Sequence, residues 1–241
     1  HPRPDLALHA FLCQPAAHFR PGEFFTGPDG LQAEVLKAGE RGRRLLLFNR
    51  EYERVLEQGY APLPPYIKRK AGEAGRCRDF DLERYQTVYA RHPGSIAAPT
   101  AGLHFTPEIL ERIRKKNTLL EMTLEVGEAT FQKIEVEDIG QHRMGSERIR
   151  INAATARRIA ELKGDGQTLL AVGTTTVRSL ESFALLSEPL EEFSSDIFIS
   201  PGFRFRMIDK LLTNFHLPRS SLFILASAFG GLELIQRAYA L

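Results

Sequence analysis

A chain of 241 residues with 43% hydrophobic composition can bury a large core, and one large domain beside a small one is the natural division. Its 32 basic and 30 acidic residues leave a formal charge of +2, so bulk charge does not single out a nucleic-acid binder, although a local basic face could still steer one. Cys13 and Cys77 match neither a metal spacing nor a disulfide framework, no apolar run reaches the roughly 18 residues of a membrane span, and no signal segment opens the chain, so reduced thiols in a cytoplasmic protein are expected.

Residues 1–58 carry short apolar runs between Pro/Gly turns: Leu6–Cys13, Phe24–Phe25, Leu31–Leu36 and Leu45–Phe48. Leu31, Ala33 and Val35 alternate onto one face, and Gly39–Arg43 suits a hairpin turn before the return strand Arg44–Phe48. This spacing predicts a small, partial β-barrel-like domain. Prolines make Ala61–Lys70 a rigid crossing, and the Gly/Arg-rich Ala71–Asp79 is expected to be an exposed loop. Lys68, Arg69, Lys70, Arg76 and Arg78 cluster there, as a solvated surface or as a contact for a polyanion.

Residues 59–241 read as a large mixed α/β domain. Thr106 can cap a helix that opens on Pro107, with Ile109, Leu110 and Ile113 as its buried stripe. Leu120, Met122, Leu124 and Val126 alternate as a strand, and Asn152 can cap a helix through Leu162. Leu169–Val172 is short and apolar, as in a central strand covered on both faces, and Asp196–Ile199 is another such run. Strands separated by helices favour a parallel or mixed sheet, with binding loops at the strands' carboxyl ends. Ser220 or Ser221 can cap a final buried helix that ends on two glycines.

Four loops could carry chemistry. In Pro99–Thr106, Gly102 permits a sharp bend and His104 could bind an anion, donate a hydrogen bond or cap the adjacent turn. Glu125–Phe131 breaks a strand at a glycine. Gly173–Ser182 follows an apolar strand and opens a helix, so free N–H groups and the hydroxyls of Thr174, Thr175 and Thr176 offer a cradle for a carboxylate or phosphate. Arg178 and Glu181 are three apart there and could pair with each other or clamp a ligand. The last loop joins Ser200–Phe205 to Asp209–Ser220. Pro201 and Gly202 end a strand, Phe203 could stack on a purine or pack inward, Asn214 offers donor and acceptor, and Pro218 holds the segment after His216 extended. His142 and Glu147 fit no zinc pair, and no HExxH, paired CxxC or DxD occurs, so no metal is expected. No GxSxG elbow supports serine-hydrolase chemistry.

Several of these segments are long and specific: Pro62–Arg69, Glu83–Ala90, Ala97–Thr106, Ala171–Ser182, Pro201–Phe205 and Asp209–Leu222. Together they resemble the S-adenosylmethionine:tRNA ribosyltransferase-isomerase family of the queuosine pathway, from about Pro62 to Tyr239. The resemblance implies a large mixed α/β domain with a smaller inserted β-barrel domain, here incomplete at both termini. It implies transfer and isomerisation of the ribosyl part of S-adenosylmethionine onto 7-aminomethyl-7-deazaguanine at a tRNA wobble position. Epoxyqueuosine forms, and adenine and methionine leave. S-adenosylmethionine is then a co-substrate, with no metal, and the partner is a tRNA with a queuosine-type anticodon. A monomer is compatible with the sequence.

That chemistry needs groups that take and give protons near neutral pH. The resemblance makes His104 and His216 the leading candidates, His142 a third, and Glu125 a candidate base where the family carries histidine. Thr174, Thr175 and Arg178 would hold the methionine carboxylate or a tRNA phosphate, and Gly102 stands beside them as a cofactor-binding candidate. Asn214 and Phe215 would orient the adenine or deazaguanine, and Pro201, Gly202 and Phe203 are further cofactor-binding candidates. The chain departs from the family pattern at Glu125, Ala129, Lys133 and Gly145. A diverged tRNA-binding protein of the same fold without turnover, or another S-adenosylmethionine-dependent nucleoside transferase, are the competing readings. A methyltransferase lacks its glycine-rich first loop here.

Overall fold

The computed structural model describes residues 8–13, 15–64, 67–70, 73–92, 95, 97–126, 134, 136–188 and 190–240, with the side chains of Arg41 and Ala74 left out. Ala129 and Lys133, two of the departures from the family pattern, lie outside the described residues. The chain divides into two compact units, His1–Ala61 and Pro62–Leu241.

The first unit is an antiparallel sheet of β1 (Leu8–Leu12), β2 (Phe24–Thr26), β3 (Gln32–Ala38) and β4 (Arg43–Phe48), in the order β1-β4-β3-β2. The alternation in β3 has the expected result: Leu31, Ala33 and Val35 are buried with Leu46 and Phe48, and helix α1 (Tyr52–Glu57) adds Tyr52 and Val55. The β3–β4 hairpin closes at Glu40–Gly42, and a bulge between Val35 and Lys37 shifts its register. Among the described residues the sheet is open, with β1 and β2 as its edges.

The second unit begins with a difference from the sequence expectation. The Gly/Arg-rich stretch is not a loop but helix α2 (Glu73–Arg84). Glu73 accepts a hydrogen bond from the Lys70 backbone N–H at 2.9 Å, satisfying a donor at the helix start. The anchor of this helix is polar: Asp81 is buried and takes two hydrogen bonds from Arg69, while Phe80 and Leu82 are exposed. Hydrophobic periodicity therefore carries no signal for it. The Arg69 guanidinium holds the Asp81 carboxyl below the usual carboxylate range.

Helix α3 (Pro107–Arg114) is capped by Thr106 as the sequence predicts, although of its expected stripe only Leu110 is fully buried. Three strands form an antiparallel sheet in the order β5 (Thr123–Glu125), β6 (Glu147–Arg150), β8 (Glu192–Ser195). The strand expected at Asp196–Ile199 lies earlier, at β8, where Phe193 and Ser195 point inward. The Ile197 carbonyl instead accepts from Arg178 Nε at 3.3 Å, so a side chain takes the place of a ladder partner.

Strands β7 (Leu170–Val172) and β9 (Lys210–Leu212) pair in parallel. β7 is not covered on both faces as expected, for Leu170 is 54% exposed. Around this pair pack α4 (Ala153–Gly164, capped by Asn152), α5 (Thr174–Phe183) and α6 (Ser221–Gly230, capped by Ser220), followed by α7 (Leu232–Tyr239). Ile159, Ala171, Val177, Leu180, Ile199, Ile208 and Leu225 form one buried cluster. Each fully buried aliphatic side chain of this kind contributes about 1.5–3 kcal/mol. The cluster is what holds the β7–β9 pair and the loops that leave it.

Candidate functional site

The parallel pairing of β7 and β9 brings two of the four candidate loops to one place. Val172 and Leu212 are register partners, so both strands end together, and Gly173 N–H donates to the Leu212 carbonyl at 2.8 Å. Carboxyl ends of parallel strands are where α/β proteins collect ligand-binding loops. After Val172 the chain turns at Gly173, whose φ of 90° favours glycine, and enters α5 with, among the described residues, no side-chain cap at its first turn. After Leu212 it runs through Thr213, Asn214, Phe215 and His216.

A third loop joins them. His104 ends the 3-10 turn Thr100–His104, and its Nε2 lies 3.4 Å from Asn214 Nδ2. The turn is seated by Gly102, which is buried. A Cβ there would overlap the Tyr89 hydroxyl and come within 2.8 Å of Thr87 Cγ2. The Glu83–Ala90 and Ala97–Thr106 motifs are therefore packed together through a missing side chain. Gly102→Ala is expected to cost about 1–3 kcal/mol through overpacking, read as a lower urea midpoint. A midpoint equal to wild type would show that Tyr89 moves aside freely.

His216 is held at two points. Its backbone N–H donates to Tyr239 Oη at 2.7 Å, and its ring Nε2 lies 3.0 Å from Thr213 Oγ1. Tyr239 is itself set by edge contacts with Phe215 and Phe223, at centroid distances of 4.8 and 5.1 Å. Burial pulls the His216 imidazole down to about 4, so it is neutral at physiological pH. Phe215 is 73% exposed and offers an open aromatic face beside Asn214.

The other candidates stand elsewhere in the second unit. Arg178 and Glu181 do not pair with each other. Arg178 is buried and donates to Glu147 Oε2 at 2.7 Å, while its Nη2 has no hydrogen-bond partner among the described residues. Glu181, fully buried, accepts the backbone N–H groups of Arg206, Met207 and Ile208 at 2.8, 3.0 and 3.1 Å. Thr174 is buried and Thr175 half-buried at the mouth of α5. Pro201 and Gly202 form an exposed turn with Gly202 at φ 94°, and Phe203 packs on the core cluster with an edge contact to Phe205.

His142 makes an edge contact with Phe198 at 5.0 Å, and burial lowers its basicity. Glu125 lies on the three-stranded sheet between Arg150, at 3.0 Å, and Arg148, at 3.9 Å, with Glu192 completing an alternating ion-pair ladder. Among the described residues no hydrogen bond or ring contact links His142, Glu125 or Phe203 to His104, Asn214 or His216. Thr213 and Tyr239 were not singled out by the sequence. The one clue to Thr213 was its place directly after the strand and three residues before His216; Tyr239, 23 residues from His216, left none.

Among the described residues, no group of three or more His, Cys, Asp or Glu side chains is arranged to hold a metal ion, and no helix is long and apolar enough to cross a membrane. A family model described as queuosine biosynthesis protein matches residues 4–241. The S-adenosylmethionine:tRNA ribosyltransferase-isomerase of Thermotoga maritima is 44% identical over 232 residues, covering 95% of this chain and 66% of that protein. The protein of the same name from Azoarcus sp. is 47% identical over 226 residues, with 92% and 64% covered. The Treponema denticola protein is 44% identical over 246 residues, with 98% and 69% covered. A crystal structure of S-adenosylmethionine tRNA ribosyltransferase from Thermotoga maritima is similar at 31% identity and a TM-score of 0.47, over 94% of this chain and 61% of that one. The chain spans about two thirds of the length of these curated relatives. With the family model matched from residue 4 to residue 241, this chain belongs to the queuosine biosynthesis protein family.

Proposed function

We propose that the protein transfers and isomerises the ribosyl moiety of S-adenosylmethionine onto 7-aminomethyl-7-deazaguanine at the wobble position of a tRNA, giving epoxyqueuosine and releasing adenine and methionine. The observation that carries this reading is the contact of His104 with Asn214, on the segment that also carries His216 and that leaves β9 beside the start of α5 at the end of β7. The uncapped N–H groups at Thr174 and Thr175 suit the methionine carboxylate. Arg178 lies one turn behind, with its charge directed to Glu147. Asn214 can read a base edge, and the exposed Phe215 ring can stack on an unpaired base. Gly102 shapes the His104 turn. The small unit is, on this reading, part of an inserted β-barrel domain, and the protein works in the cytoplasm on a tRNA with a queuosine-type anticodon.

The test is incubation with S-adenosylmethionine and tRNA carrying 7-aminomethyl-7-deazaguanine, followed by digestion of the tRNA. The epoxyqueuosine mass with stoichiometric adenine is the expected result, and methyl transfer to tRNA would overturn it. The pairing of Glu125 with two arginines favours a second reading, a tRNA-binding protein of this fold without turnover. Binding without adenine release would establish that one.

Lys68, Lys70 and Arg76 are exposed near α2, whereas Arg69 and Arg78 are paired with Asp81 and Asp79. If the three exposed bases each meet a phosphate, tRNA affinity should fall about 20–40-fold between 50 and 200 mM salt. The triple replacement by serine should flatten that dependence. A flat wild-type salt series would remove this surface from the tRNA path.

A further inference from the structure

We propose that Thr213 is a positioning residue that sets the tautomer of His216, leaving Nδ1 as the lone-pair nitrogen available to a bound substrate. The inference rests on the reading of His216 as a proton-transfer group in the reaction proposed above, but its structural half stands apart from that reaction. Nε2 has a partner, Thr213 Oγ1 at 3.0 Å, and Nδ1 has no hydrogen-bond partner among the described residues. A neutral imidazole carries one N–H and one lone pair, and the bond made by one nitrogen decides the state of the other. A half-buried N–H donor with no acceptor is costlier than an acceptor with no donor. The favoured arrangement therefore has Nε2–H donating to Thr213 Oγ1. The hydroxyl hydrogen remains free to rotate toward water.

Thr213 is well placed for this task. It directly follows β9, whose last residue is paired with Val172 and accepts from Gly173 N–H. Its backbone therefore continues directly from a residue held in the β7–β9 pairing. The His216 backbone is tied independently to Tyr239 on α7. Two separate elements thus fix where the ring sits and which way it is turned, and among the described residues Thr213 is the ring's hydrogen-bond partner.

The direct test is nitrogen-15 NMR of the histidine side chains in the whole protein at neutral pH, with His216 assigned by comparison with His216→Gln. The expected spectrum has a protonated-type Nε2 and a lone-pair-type Nδ1. Thr213→Val should average the two shifts, and Thr213→Ser should restore the wild-type pattern. In the adenine-release assay, Thr213→Val should lower kcat by about tenfold or more, with KM for both substrates changed less than about twofold. Thr213→Ser should stay within about threefold of wild type. A lone-pair-type Nε2 in the wild type overturns the proposal. So does a Thr213→Val protein with unchanged shifts, or a serine variant as slow as the valine one. If the wild type releases no adenine at all, the reaction assignment fails, while the nitrogen shifts still decide the role of Thr213.

Discussion

Replacing Arg178 by methionine should lower the stability of the protein by about 3–5 kcal/mol, the usual result of removing one member of a buried ion pair. Arg178 and Glu147 are both nearly fully buried, and their 2.7 Å contact joins α5 to β6. The same guanidinium donates to the Ile197 carbonyl, so its loss releases the chain segment after β8 as well. Removing the arginine takes the guanidinium from a carboxylate that is only 3% exposed. The result is an excess of buried negative charge, not a simple cavity. Against a typical total of about 5–15 kcal/mol, such a loss brings the protein close to unfolding. Urea denaturation of Arg178→Met, Glu147→Leu and the double variant would measure this. The double variant should recover much of the loss, because an apolar pair of similar volume avoids the desolvation cost of both ions. A single variant within about 1 kcal/mol of wild type would show that the pair is solvated in solution.

This pair also shows what was legible in the sequence. Arg178 and Glu181 share a helix face, and local spacing alone allows them to meet. In the fold each is directed to a distant partner: Arg178 to a strand 31 residues earlier, and Glu181 to a turn 25 to 27 residues later. Helix periodicity reports neighbours on one element and carries no information about such partners. Capping signals were legible because they are local. Thr106, Asn152 and Ser220 each accept the expected backbone N–H. The alternation in β3 was legible for the same reason. Helix α2 was not, because it is anchored by a buried Asp81 instead of an apolar stripe.

For the site, the motifs around His104, Gly173 and His216 indicated which loops matter. They could not indicate that His104 meets Asn214, a contact 110 residues apart in the chain. Glu125 lies at the opposite extreme. Its position in a strand was readable, but its two arginine neighbours come from β6, and only the strand register reveals them.

On the reaction proposed above, His216→Ala should reduce kcat for adenine release while leaving tRNA affinity nearly unchanged. The imidazole is neutral in the native protein, since burial holds it near 4. At pH 7 a group titrating there is protonated in only about one molecule in a thousand, so it is poorly suited to donating a proton. The lone-pair role is the one its environment favours, and in the reaction proposed above a proton must be removed from the carbon next to the sulfonium, a step that requires a base. A base that weak transfers protons less efficiently than one poised near neutrality, which places the expected loss toward the lower end of the usual range, about 100-fold. The pH profile separates the two roles. With His216 as base, kcat/KM should rise as pH increases through about 4 and then level off toward neutrality. With His216 as acid, it should fall over the same interval. Stability carries a matching signature. An unfolded histidine binds its proton near pH 6.5 while the buried one resists until about 4, so the native state loses stability as pH falls between those values. The loss is at most roughly 3 kcal/mol, and His216→Gln should remove it. Equal losses of binding and turnover in His216→Ala would instead assign the residue to holding the Thr213–Phe215 segment in place.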